Sequence, residues 1–159
     1  MKTLKTYTLE EAKRNLERYC AYQERAYSEV IQKLTNMGMI SEARDEVLLH
    51  LIQHNFINEE RYARAFVSGK FNIKKWGKLK IKRALLQKGI SKKNIEIGFT
   101  EIDYDNYINV LNELAEKKIK LIKETNKYKR KRKLLSYLQQ KGFETNLVYE
   151  YVFIDKSYD

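Results

Sequence analysis

Leu34-Thr35-Asn36-Met37-Gly38, Leu85-Leu86-Gln87-Lys88-Gly89 and Leu138-Gln139-Gln140-Lys141-Gly142 share one frame: leucine, three residues, glycine, then Met39, Ile90 or Phe143. A glycine so placed ends a helix, because it takes the left-handed conformation without the steric penalty a Cβ brings. Beyond each turn the spacing predicts a further helix, anchored by Val47 and Leu51, by Ile95 and Phe99, and by Val148 and Val152. The glycines stand 51 and 53 residues apart in a chain that holds only 6, so coincidence is the poorer account. Upstream of each there is room for a longer helix, near 9–24, 59–72 and 104–124. The expectation is an all-α fold of three tandem three-helix repeat units, 1–57, 58–103 and 104–159, forming an elongated, curved array.

Helix start signals agree. Thr8-Leu9-Glu10-Glu11 fits a capping box, in which hydroxyl and carboxylate each satisfy an orphan amide. Ser41, Asn58, Ser91 and Thr145 are further N-cap candidates ahead of apolar spacing of three and four. The chain has no proline, and with so few glycines an all-β fold would lack its turns. A hydrophobic fraction of 43% beside 33% charged residues suits slender helical modules with much of each helix in water.

The net charge of +11 is strongly segregated. Residues 1–69 balance ten basic against ten acidic side chains; residues 70–93 hold ten basic residues and no acid. Residues 94–116 carry six acids and no base, and 117–133 carry ten basic residues against Glu124 alone. Segregation of this kind points to a surface that faces a polyanion. In the second unit the cluster is Lys74, Lys75, Trp76, Lys78, Lys80, Lys82, Arg83 and Lys88; in the third it is Lys127, Lys129, Arg130, Lys131, Arg132 and Lys133. Trp76 and Tyr128 stand at the entrances of these helices, where a ring could stack on a base or brace the turn. The alternative is a solvated lysine-rich face. The helices after the glycines carry too little positive charge to read bases, so backbone contact without sequence readout is expected.

Catalytic and metal patterns are weak. His50 and His54 share a helix face at i and i+4, but Leu51 stands where zinc proteases carry their glutamate, and no third ligand is evident. Glu101, Asp103 and Asp105 read as a solvated linker with an N-cap. Lys75-Trp76-Gly77-Lys78-Leu79 lacks the first glycine and the hydroxyl of a phosphate loop. Cys20 stands alone and is expected to be a small buried apolar residue. No metal, no cofactor and no catalytic residue is expected. With no apolar run of membrane length and no apolar signal core, a cytoplasmic protein is expected.

Several stretches, in order, resemble the RecX family of regulatory proteins. Arg25-Ala26-Tyr27-Ser28-Glu29-Val30 with Lys33-Leu34 is similar to its opening Arg-Ser…Glu-Leu…Lys-Leu stretch. Asn58-Glu59-Glu60-Arg61-Tyr62-Ala63-Arg64-Ala65-Phe66-Val67 resembles its Asp-Asp-x-Arg-Phe-Ala…Phe-Val helix. Gly77-Lys78-Leu79-Lys80-Ile81 and the Leu85 turn resemble its Gly-Pro-x-Arg-Ile…Lys-Gly-Ile segment, and Lys131-Arg132-Lys133 with Leu138 to Phe143 its closing motif. Lys78 replaces the usual proline, Lys80 the usual arginine, and Ala84 the usual glutamate.

The resemblance implies a non-enzymatic regulator that binds the RecA recombinase filament on single-stranded DNA. It implies inhibition of recombination, ATP hydrolysis and SOS co-protease activity, and so a part in modulating DNA repair. The two basic clusters would meet RecA filament and DNA backbone, and a monomer is expected. The alternative is a general nucleic-acid-binding module that works through its basic helices without RecA.

Overall fold

The computed structural model describes residues 5–154, and every regular element among them is helical. The helices are α1 (Leu9–Tyr22), α2 (Tyr27–Asn36), α3 (Ser41–Gln53), α4 (Glu59–Asn72), α5 (Lys78–Gln87), α6 (Lys92–Phe99), α7 (Tyr104–Leu121), α8 (Lys127–Gln140) and α9 (Thr145–Val148). A wider helical turn, Tyr149–Phe153, continues α9 and closes with the Ile154 amide donating to the Tyr149 carbonyl at 3.1 Å. Two compact bodies result. The first runs to Ala65 and includes Leu85–Gly98; the second holds Phe66–Ala84 and the chain from Phe99 onward.

The three leucine–glycine frames fold alike. Met39 donates to the Leu34 carbonyl, Ile90 to Leu85 and Phe143 to Leu138, each at 3.1 Å. Each glycine amide meanwhile donates to the residue three before it, at 2.9–3.0 Å. This paired pattern satisfies the last carbonyls of a helix and needs a left-handed residue at the glycine, where φ is +77°, +80° and +99°. A fourth turn has the same form without glycine: Asn55 takes φ +59°, and Phe56 donates to the Leu51 carbonyl at 2.8 Å.

The first body buries Ala12, Leu16 and Cys20 of α1 against Val30 and Leu34 of α2, Val47 and Leu51 of α3, and Ile57. Its ends are well capped. Thr8 and Glu11 exchange hydrogen bonds at 3.1 and 3.2 Å as a capping box should. The α2 amides of Ala26 and Tyr27 donate to Glu29 and to Glu59, at 3.1 and 3.3 Å. Arg61 pairs with Glu24 at 2.6 Å and donates to the carbonyls of Asn55 and Phe56, closing the end of α3. Asn58 and Ser91 cap their helices through side-chain oxygens, at 2.9 and 3.2 Å. Two cap expectations fail by one residue: Ile40 and Glu144 hold the cap positions, and neither uses its side chain. The hydroxyl of Thr145 accepts instead from Gln139.

In the second body Tyr107 is fully buried, with its ring 5.7 Å from Phe71 and 5.1 Å from Phe143 between centroids. Leu111, Ala115, Ile81, Leu134, Leu138 and Val148 of this body are fully buried as well. A phenol placed there must keep its hydroxyl satisfied. Tyr107 donates to Glu144 and accepts the Lys78 amide at 3.0 Å. Burial first, and the Glu144 bond second, push this phenol well above its ordinary range.

Candidate nucleic-acid interface

The start of α5 could have been an anion site, since the first amides of a helix point at whatever lies ahead of them. In this chain they are occupied. Gly77 donates to the Lys141 carbonyl at 2.7 Å, Lys78 to Tyr107, and Leu79 to the Gly142 carbonyl at 3.0 Å. Lys78 is the first residue of α5, where the family pattern carries proline, which suits a position whose amide is normally unbonded. Here the extra N–H is used.

The basic residues of this region divide by what holds them. The half-buried Lys78 has its ammonium 5.1 Å from the Tyr107 ring and 5.8 Å from that of Phe99. Trp76 is flanked by Lys80 at 4.5 Å and Lys70 at 4.8 Å, so its ring braces two cations. Lys75 takes φ +57° at the end of the preceding turn. Lys74, Lys82 and Arg83 are exposed; Lys88, also exposed, belongs to the first body, where its carbonyl accepts from Ser28 at 2.8 Å. Lys141, absent from the sequence-derived cluster, donates to the Lys74 carbonyl at 2.8 Å. Burial lowers its pKa, and the nearby charges of Lys80 and Lys74 lower it further. Like charge is therefore concentrated here.

On α8 the division is sharper. Arg130 is half-buried and donates to the Ile119 carbonyl at 2.9 Å, so it serves the fold. Lys133 pairs with Glu124 at 3.5 Å, and the Asn126 amide, then Lys133, hold that carboxylate below its usual range. Lys127 and Lys129 are exposed, Lys131 is half-buried, and the Arg132 guanidinium stands 5.8 Å from the Tyr128 ring.

The end of α7, the residues just after it and one face of α8 from Lys129 to Gln140 line a groove of about 740 Å³. Lys118, Lys123, Lys129, Arg132 and Lys133 line it with Leu121, Ile122, Ser136, Tyr137 and Gln140, and no acidic side chain does. Lys118 lies 4.8 Å over the Tyr137 ring. Lys118 and Lys123 belong to the basic run 117–133 but lie outside the Lys127–Lys133 cluster. Their part depends on α7 and α8 meeting side by side, which no local pattern reveals. Elsewhere, His50 lies 2.9 Å from Glu17 and His54 bonds the His50 carbonyl; no metal-holding group of three occurs among the described residues. None of their helices is long and apolar enough to cross a membrane.

Repeated helix–glycine–helix turns and a cation-lined groove define a protein of tandem three-helix domains. Residues 58–97 match the family model of the second three-helix domain of RecX, and residues 105–152 that of the third. The regulatory protein RecX of Chlorobium phaeobacteroides is 34% identical over 128 residues, 80% of this chain and 82% of its own length. That of Clostridium beijerinckii is 36% identical over 121 residues, 75% of this chain. The chain spans 56% of the length of that relative and 62% of the one from Finegoldia magna. A crystal structure of regulatory protein RecX matches with TM-score 0.83 at 25% identity, over 91% of this chain and 71% of that one. RecX from Lactobacillus salivarius shares the fold, with TM-score 0.81 at 23% identity over 91% of this chain and 94% of its own. The chain belongs to the RecX family of regulatory proteins.

Proposed function

We propose that this chain is a non-enzymatic, cytoplasmic regulator that engages the RecA filament on single-stranded DNA as a monomer. In doing so it lowers recombination, ATP hydrolysis and SOS co-protease activity. The observation that carries this reading is the ordered match to two RecX domains, 58–97 and 105–152. The charge pattern supports it. The excess of positive charge comes from residues 70–93 and 117–133, the stretches that contain α5, the end of α7 and the start of α8, as a partner made of protein and phosphate calls for.

A second reading draws on the groove itself. Five cations with no acid among them could bind nucleic acid through its phosphates without RecA. Co-sedimentation separates the two. The chain should pellet with RecA filaments on single-stranded DNA at concentrations where it stays in the supernatant with the DNA alone. Equal pelleting with bare DNA would favour the general nucleic-acid module.

A further inference from the structure

The face of α8 next to the groove has a different chemistry. With 3.6 residues per turn, positions 128, 131, 132 and 135 share one face and 129, 132, 133 and 136 the next. The first face, with Tyr149 and Phe153 of the terminal turn, lines a recess of about 390 Å³. Tyr128 is 70% exposed and Tyr149 49%, and Tyr149 meets Phe153 edge-on at 5.3 Å. No acidic side chain lines this recess either, and Arg132 lines both it and the groove.

A cationic groove alone would suit any polyanion. Exposed rings beside it narrow the choice, because a planar base stacks on a ring face and carries its own phosphate to the cations. A nucleotide carries both halves, an anionic phosphate and a planar base. In a duplex the faces of the bases are covered by their neighbours and cannot stack on a side-chain ring; in a single strand they can turn outward. A run of acidic side chains alone, as in polyglutamate, would use the cations but bring no planar group to the rings.

We propose that a single nucleic-acid strand lies across α8, with phosphates in the α7–α8 groove and a base against Tyr128, Tyr149 and Phe153. Arg132 serves both, its charge toward phosphate and its guanidinium plane toward the base. Lys133 exchanges Glu124 for phosphate when the strand binds. This deepens the nucleic-acid part of the proposed function and rests on it.

The test is fluorescence anisotropy of a labelled oligo(dT) with the intact chain and no RecA, across a salt series. Five phosphate contacts set a limiting slope of log K against log salt near −3.5, at about −0.7 per contact. The triple change Lys118→Ala, Lys123→Ala and Lys129→Ala should bring it about 2 closer to zero. Tyr128→Ala with Tyr149→Ala should weaken binding roughly tenfold or more with the slope unchanged, and Tyr149→Phe should retain it. Both tyrosines are exposed, and an unchanged thermal melt shows that the variants are folded. Wild-type affinity in the double tyrosine variant would overturn the proposal. So would equal affinity for duplex, or polyglutamate displacing the oligonucleotide as well as oligo(dT) does. Because RecA is absent, failure here is distinct from failure of filament co-sedimentation.

Discussion

Gly77 and Gly142 pack backbone to backbone: a Cβ on Gly77 would overlap the main chain of Gly142 and Phe143, and one on Gly142 would overlap Lys80. The approach lets the turn after α8 cap the start of α5, through Gly77 to Lys141 and Leu79 to Gly142. Gly142 thus has two reasons to be glycine, its φ of +99° and its lack of room, whereas Gly38 at φ +77° has open space around it.

Gly77→Ala and Gly142→Ala should each destabilise by about 2–4 kcal/mol, from overpacking plus two lost caps. Gly38→Ala should cost only about 1–2 kcal/mol, the left-handed penalty alone. Urea unfolding monitored by circular dichroism measures the difference. Equal costs at Gly38 and Gly142 would mean that the close approach contributes nothing.

Tyr107→Phe keeps the ring contacts with Phe71 and Phe143 but removes the hydroxyl shared by Glu144 and the Lys78 amide. A loss of about 1–3 kcal/mol is expected, since two polar groups lose their partner. Adding Lys78→Pro should recover part of it, because proline has no amide to leave unpaired. Chemical denaturation of the single and double variants gives the coupling.

Cys20 is 7% exposed, and burial pushes its thiol from an ordinary value near 9 up to about 11. The thiolate is the reactive form, so native protein at pH 8 should resist thiol reagents and react only on unfolding. Between pH 9 and 11 the native state holds a proton that the unfolded thiol has released. Stability should therefore fall as pH rises through that window. Timed labelling with and without urea checks the first point, and alkaline melts the second.

Lys129 and Arg130 are neighbours in sequence with different work to do. Lys129→Glu should leave stability within about 0.5 kcal/mol while weakening any polyanion contact in the groove. Arg130→Glu should cost about 1–3 kcal/mol, because it removes the bond to the Ile119 carbonyl. Thermal melts beside oligonucleotide binding distinguish them, and the same contrast shows which charge-reversal variants are fair tests of function.

Much of the fold was legible because the deciding signals are local. The Leu-x-x-x-Gly frames, the Thr8–Glu11 box and the caps at Asn58 and Ser91 lie within a few residues of the structure they specify. The Asn55 turn repeats the frame with asparagine, the other residue that tolerates positive φ, and a search for glycine alone passes over it. The candidate site was legible in charge but not in role. Sequence placed Lys78, Arg130 and Lys133 with the other cations; packing directs them to Tyr107 and Phe99, to Ile119 and to Glu124. Lys118, Lys123, Tyr149 and Phe153 join α8 because the neighbouring elements fold back against it, and spacing along the chain carries no trace of that.

The most direct measurement is RecA ATP hydrolysis on single-stranded DNA, titrated with this chain at two salt concentrations. Inhibition well below one chain per RecA, largely retained at the higher salt, is the expected result for a regulator that recognises the filament. Inhibition that requires enough chain to coat the DNA, and that vanishes as salt rises, would contradict it and leave only competition for phosphates.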